Sequence, residues 1–171
     1  MINMERLGKA LGVGLVVFIV YVIFSGSASP YDLITGALVA GATGFLTANL
    51  TVDKPIKFLQ LQRLAWLLTY AVRYFFIDEV KAHVDVMRRI LHPRMPINPG
   101  IVKVPYEVQS DYAILTIANS ITNTPGTVVV DVDPEGKALY VHWIDVKVTE
   151  PDKVREEVSK VFEKFARRIF D

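Results

Sequence analysis

Charged side chains disappear from this chain twice. Residues 33–52 run for twenty positions without Asp, Glu, Lys or Arg, and at about 1.5 Å of helical rise per residue such a run covers the roughly 30 Å hydrocarbon core of a bilayer. Residues 10–24 form a second, shorter apolar stretch. It lengthens when Lys9 snorkels and lets Leu7 and Gly8 join it. Gly26 and Pro30 punctuate the segment between the two, so the pattern predicts a transmembrane helical hairpin with spans of about 7–24 and 33–52. A second reading of the first stretch stays open, a cleaved leader. Arg6 and Lys9 supply its basic start, residues 11–24 its apolar core, and Ser27, Ala28 and Ser29 its small residues.

Residues 58–91 show helical rather than continuous hydrophobicity. Arg63, Tyr70, Tyr74, Asp78, Lys81, Asp85 and Arg88 gather on one side of a helical wheel; Leu61, Leu64, Leu68, Val72, Phe75, Val86 and Ile90 occupy the other. With Trp66, Tyr70, Arg63 and Arg73 at its edges, such a helix suits the membrane interface. The uncharged residues 64–72 keep a third span open. The interfacial reading leaves the C-terminal half in the cytoplasm, whereas the spanning one exports it.

The proline-dense residues 92–100 end the helix. Beyond them the pattern predicts a strand at 101–104, a helix capped by Ser110 and running to about Ile121, a turn at Thr124-Pro125-Gly126, strands at 127–132 and 139–148, and a final helix from about Pro151. That helix carries Val154, Val158, Val161, Phe162, Phe165 and Ile169 on its apolar face, with i,i+4 pairs Glu156–Lys160 and Glu163–Arg167. The expected fold class is an α+β membrane protein: a transmembrane hairpin (1–57), a long amphipathic or third membrane helix with linker (58–95), and a small β-α-β-β-α cytoplasmic domain (96–171). A domain this small buries little surface per residue, and the helix after Ser110 is apolar on nearly every side. Both features ask for a partner surface.

Composition narrows the chemistry. A net charge of +1 in 171 residues argues against nucleic acid, and the absence of cysteine excludes disulfides, thiol nucleophiles and iron–sulfur ligation by this chain. The connecting loop of the hairpin has no Lys or Arg, while Arg6 and Lys9 precede it and Lys54, Lys57 and Arg63 follow. Both ends are therefore expected in the cytoplasm, in a multi-pass protein of the cell membrane.

The second span offers only Thr35, Thr43, Thr47, Asn49 and Thr51 as polar groups, too little for an ion path at membrane depth. It offers small residues instead. Gly36, Ala37, Ala40, Gly41 and Gly44 recur at spacing four and mark a suspected helix-packing interface. Asp131, Asp133, Glu135 and Gly136 imitate the opening of a calcium loop, but His142 stands where the bidentate Glu belongs. His83, His92 and His142 lack zinc spacing, and Gly41-Ala42-Thr43-Gly44 lies inside the membrane run, where no phosphate loop forms. Neither a catalytic site, nor a metal site, nor a cofactor is expected.

Ala118-Asn119-Ser120-Ile121-Thr122-Asn123-Thr124-Pro125-Gly126-Thr127, with Pro99-Gly100-Ile101-Val102 before it and Leu139-Tyr140-Val141-His142 after it, resembles the E subunit of Mrp/Mnh-type multisubunit sodium/proton antiporters. The likeness extends over nearly the whole chain; Tyr112 after Asp111, and Trp143 after the histidine, depart from the family's habit. The resemblance implies an accessory subunit, not catalytic by itself, in a multisubunit membrane assembly that exchanges sodium for protons. Its partners would be other subunits and the lipid bilayer. Related modules are built into membrane-bound hydrogenases and similar ion-translocating oxidoreductase complexes. In physical terms Pro125 fixes φ and Gly126 permits the positive φ of a type II turn, so Asn119, Ser120, Thr124, Pro125, Gly126 and Thr127 read as a structural turn. The competing function is a membrane-tethered ligand- or protein-binding module unrelated to ion transport, with its ligand at the Pro125 turn or the 131–136 loop.

Overall fold

A computed structural model describes residues 4–51 and 60–171. Val52, Lys54, Lys57 and the boundary expected between residues 57 and 58 lie outside the described residues. The chain divides into two compact units, Met1–Leu61 and Gln62–Asp171.

The first unit is a helical hairpin of α1 (Met4–Ser25) and α2 (Pro30–Thr51). Arg6–Ser25 and Pro30–Ala48 are each long and apolar enough to cross a membrane. Helix α2 starts ahead of the expected residue 33 because its N-terminus is well capped. Pro30 occupies the first turn, the Asp32 N–H donates to Ser29 Oγ at 3.2 Å, and the hydroxyls of Ser27 and Ser29 donate to Asp32 Oδ2 at 2.5 and 2.7 Å. Proline lacks the N–H that a first turn leaves unpaired, and a carboxylate there complements the helix dipole.

The second unit opens with one continuous rod made of α3 (Leu61–Arg73), a π-helical turn at Tyr74–Asp78, and α4 (Glu79–Leu91). The π turn brings residues five apart into register, and Arg73 Nε lies 3.2 Å from Asp78 Oδ2 across it. After the rod come β1 (Gly100–Pro105), α5 (Asp111–Asn123), β2 (Thr127–Asp133), β3 (Ala138–Trp143), α6 (Pro151–Val158) and α7 (Lys160–Phe170). The sheet order is β1-β3-β2, antiparallel throughout, with Val102 opposite Val141, Val141 opposite Val129, and an irregularity between Val129 and Asp131.

One core holds this unit together. Val102, Val104, Leu139 and Val141 from the sheet meet Ala113, Ile117 and Ile121 of α5 and Val154, Phe162, Phe165 and Ile169 of the last two helices. Tyr70 and Tyr74 of the rod belong to the same core, each 7% exposed. Residues 62–91 are thus part of one compact unit with the sheet instead of a segment apart. The helical wheel places both tyrosines on the polar side. A phenol ring is mostly hydrocarbon with one polar tip, so it enters a core once that tip finds a partner.

Four local expectations need correction. Strand β3 ends at Trp143, not 148, because the chain then changes partners: Ile144 N–H donates to Gly126 O at 2.9 Å and Val146 N–H to Asn98 O at 2.8 Å. The final helix breaks at Ser159, whose φ of −124° and ψ of −20° leave the helical region. Glu163 does not take up Arg167; it is buried against Arg155. Ser110 precedes α5 without a side-chain capping bond, and the Asp171 carboxylate instead accepts from the Gln109 and Ser110 N–H groups at 3.2 and 3.0 Å.

Candidate functional site: a packing ridge, a turn and an outward apolar face

The small residues of α2 divide into two sets. Gly36, Ala40, Gly44 and Ala48 recur every fourth residue and are all buried, which puts them on one face of the helix against α1. A Cβ on Gly44 would overlap the Ala10 carbonyl oxygen and sit 3.0 Å from the Gly14 nitrogen, one on Gly36 would come within 2.6 Å of Tyr21 Cδ1, and one on Gly14 within 3.2 Å of Ala40 O. The two backbones approach as closely as glycine permits. Ala37 and Gly41 point elsewhere: both are exposed, and a Cβ on Gly41 would meet nothing within 4 Å. Three of the five suspected interface residues therefore serve the hairpin itself, and only Ala37 and Gly41 remain open to another surface.

The 119–127 segment closes helix α5 onto the sheet. Helix C-termini leave carbonyls unpaired, and here hydroxyls take them. Ser120 O accepts from the Thr124 N–H (3.2 Å), from Thr124 Oγ1 (2.6 Å) and from the Tyr74 hydroxyl (3.3 Å). Thr127 Oγ1 donates to Ile121 O at 2.7 Å. The Thr127 N–H donates to Thr124 O at 3.3 Å across a turn in which Gly126 has φ +96°, the hydrogen bond and positive φ of a type II turn. Asn119 is exposed. The hydroxyls of Tyr70 and Ser120 share a short hydrogen bond, and Asn123 Nδ2 donates to the Tyr74 hydroxyl at 3.1 Å. Burial, and then hydrogen bonding to the Glu79 carboxylate, push the Tyr74 phenol up from its usual range. These polar groups satisfy one another, which is what a structural turn requires.

The 131–136 loop behaves likewise. Gly136 N–H donates to Asp133 Oδ1 at 2.8 Å and Lys137 takes φ +46° to complete the hairpin. Among the described residues no cluster of three His, Cys, Asp or Glu could hold a metal ion. His83 sits beside Glu79, His92 Nδ1 accepts the Arg94 N–H at 3.1 Å, and His142 pairs with Ile101 and Val128 in the sheet.

One feature is absent from the sequence reading. Glu163, 4% exposed, is held by Arg155 through Nε (2.8 Å) and Nη2 (2.9 Å) and by the Glu107 N–H (2.8 Å). Arg155 Nη1 reaches Glu107 Oε1 at 2.8 Å, and that hydrogen bond holds the Glu107 carboxyl below its usual range. The clue was an acid between Phe162 and Phe165 on an apolar face. The apolar side of the wheel, with Leu68, Val72 and Phe75, is the outward side of the rod. Leu68, Val72, Phe75 and Phe76 are 60 to 74% exposed, and farther along a groove of about 530 Å³ is lined by Phe75, Glu79, Val80, His83, Val84, Met87 and Asn123.

Two candidate membrane helices and a small antiparallel-sheet unit, whose distinctive surfaces are for packing, define a membrane protein of mixed helix and sheet made to sit among other chains. The model of the Na+/H+ ion antiporter subunit family MNHE matches residues 14–169, and the chain belongs to that family. It is 30% identical over 150 residues to the E subunit of the Na+/H+ antiporter of Alkalihalophilus pseudofirmus, covering 88% of this chain and 90% of that one. To the E subunit of the Bacillus subtilis antiporter it is 31% identical over 130 residues, 74% of this chain and 81% of the other. A chain in the structure of the membrane-bound sulfane sulfur reductase, an archaeal respiratory membrane complex, superimposes with a TM-score of 0.85 at 34% identity over 95% of this chain and 99% of that one.

Proposed function

We propose that this chain is an accessory, scaffolding subunit of a cation/proton antiporter module in the cell membrane, with other subunits of the module as its partners. The observation that carries this is the match of both its parts, over 95% of its length, to one chain of a respiratory membrane complex. The residues agree with a supporting role. Residues 33–52 carry no charge to conduct an ion, and the hydroxyls of the 119–127 turn are engaged in holding α5.

We further infer that both ends of the hairpin and the sheet unit lie in the cytoplasm, with the rod at the membrane interface. The support is the placement of Arg6 and Lys9 before α1 against a loop without Lys or Arg, and the inner face of the rod. That face is tied to the rest of its unit from Arg63, whose Nη1 donates to Ile169 O at 2.5 Å, to Arg89, whose Nη1 lies 2.8 Å from Asp145 Oδ2. A helix covered by the rest of its own unit on one side and left apolar and exposed on the other fits an interface better than a bilayer centre.

Purification in mild detergent tests the first reading: the chain should elute with several larger membrane proteins, and recovery as a stable lone monomer overturns it. Protease added to oriented vesicles tests the second, since cleavage of the sheet unit only from the cytoplasmic face is expected.

The likeness to the reductase chain favours a second reading of the parent assembly, in which the module is coupled to electron transfer as part of an oxidoreductase. Iron and sulfide analysis of the co-purified assembly separates this from a free-standing antiporter.

A further inference from the structure

The two halves of the rod are attached to their unit unequally. Helix α3 is anchored by side chains: Tyr70 lies in the core, Trp66 packs against it, and Arg63 Nη1 donates to Ile169 O. Tyr74 in the π turn is buried as well. Helix α4, 13 residues long, has no fully buried residue and contributes nothing to the core or to the partly buried side chains packed on it. Val86 touches the sheet side, with Cγ2 3.5 Å from where a Cβ on Gly126 would stand. Near the far end of α4, Arg89 Nη1 lies 2.8 Å from Asp145 Oδ2, their side chains 13 and 23% exposed. The same guanidinium takes Asp85 through Nε at 2.8 Å and donates to Pro96 O at 2.9 Å. Those two partners belong to the helix and its linker, whereas Asp145 belongs to the segment after β3. That segment is fixed by backbone bonds on both sides of Asp145: the Asn98 N–H donates to Ile144 O at 3.1 Å and the Val146 N–H to Asn98 O at 2.8 Å.

Both ends of α4 are built to yield. A π turn interrupts the regular ladder of helix bonds and is a usual site of helix kinks, and Tyr74–Asp78 supplies one at the root of α4. Beyond Leu91 the chain passes Pro93, Met95 at φ +40° and Pro96 before Asn98 fastens it to the sheet side. We propose that α4 is a hinged arm lying against the Thr124-Pro125-Gly126 turn and latched there by Arg89 and Asp145. With the latch released, the arm swings away about the π turn as one helix while α3 stays docked. An arm of 13 residues is about 20 Å long, and a swing of about 20° carries its tip about 7 Å. The arm withdraws no core side chain when it opens. Both latch charges are near enough to the surface to be taken up by water, so breaking the pair strands neither. The movement uncovers Gly126 and gives the fold a closed and an open state of the turn in the Asn119 to Thr127 segment.

The chain has no cysteine, so a pair of dyes can be placed by substitution on the full-length protein in micelles. Ile90 on the arm and Lys103 on β1, both exposed, report the arm; Leu68 and Lys103 report α3 as the control. Single-molecule energy transfer should give one short Ile90–Lys103 distance while the latch is intact. Asp145→Asn and Arg89→Gln should each raise a longer-distance population about fivefold, with the Leu68–Lys103 distance unchanged. An Ile90–Lys103 distance that stays single and short in both variants overturns the proposal. So does a lengthening of both pairs together, which reports loosening of the whole unit instead of a hinge. Should the latch variants fail to accumulate, urea added to the labelled chain with its latch intact decides: the Ile90–Lys103 distance should lengthen at lower urea than the Leu68–Lys103 distance, and coincident transitions overturn the hinge.

Discussion

The hydroxyl of Tyr70 meets the hydroxyl of Ser120, joining the outer rod to the helix that carries the Asn-Ser-Ile-Thr segment. Ser120 Oγ also reaches Thr116 O at 2.7 Å, so the phenol closes a short polar chain inside an apolar core. Replacing Tyr70 with Phe should cost about 1 kcal/mol, seen as a lowered midpoint in thermal unfolding in micelles.

The same tyrosine gives a dependence on alkaline pH. Burial chiefly, with the Ser120 hydrogen bond opposing it and Tyr74 and Asp78 adding to it, pushes the Tyr70 phenol from 10.0 up to about 12. The folded chain therefore holds this proton where the unfolded chain has lost it. Its contribution is complete below pH 10 and disappears as pH rises towards 12. Phenolate absorbance followed against pH should show buried tyrosines ionising late, together with unfolding, and Tyr70→Phe should diminish that late step.

Gly44 and Gly41 lie three residues apart on α2 and should respond oppositely to bulk. Gly44→Val drives a side chain into the Ala10 carbonyl and the Gly14 backbone; overpacking of this kind costs roughly 1–3 kcal/mol and should open the hairpin, as read by loss of a cross-link engineered between α1 and α2. Gly41→Val meets open space and should leave that cross-link intact. If Gly41 faces another subunit, only co-purification will register the change.

Arg155→Met strands the Glu163 carboxylate in the core. Breaking one side of a buried pair costs on the order of 3 kcal/mol, and chemical denaturation should report a loss of that size. Because Glu163 also accepts the Glu107 N–H, the double variant Arg155→Met, Glu163→Gln should recover part of it.

Gly126→Ala confronts a φ of +96° and a Cβ 3.0 Å from Ile144 Cγ2. Left-handed backbone strains an L side chain by about 1–2 kcal/mol, and the added methyl must displace Ile144. The expected result is a destabilised sheet unit, measured by faster amide exchange at Ile144, whose N–H donates to Gly126 O.

Periodicity located most of the elements because long apolar runs, Pro-Gly turns and valine-rich strands are local properties. The 33–52 run and the Thr124-Pro125-Gly126 turn could be read directly. What failed was the assignment of faces. Tyr70 and Tyr74 looked polar on a wheel, yet a hydroxyl from Ser120 and a carbonyl from the same residue receive their tips and admit the rings to the core. Glu163 looked like half of an exposed i,i+4 pair, yet the break at Ser159 and the Arg155 fork make it a buried ion. No spacing rule carries that information, since both partners come from other elements.

The sequence by itself determined the membrane segments, the family and the absence of cysteine chemistry, because these depend on which residues are present and in what local order. Tertiary structure decided which small residues of α2 are spent inside the hairpin and which stay open. It also decided that the long helix turns Tyr70 and Tyr74 inward, where Ser120 receives their hydroxyls. Those outcomes depend on what lies across a contact, and a contact between distant residues exists only once the chain has folded.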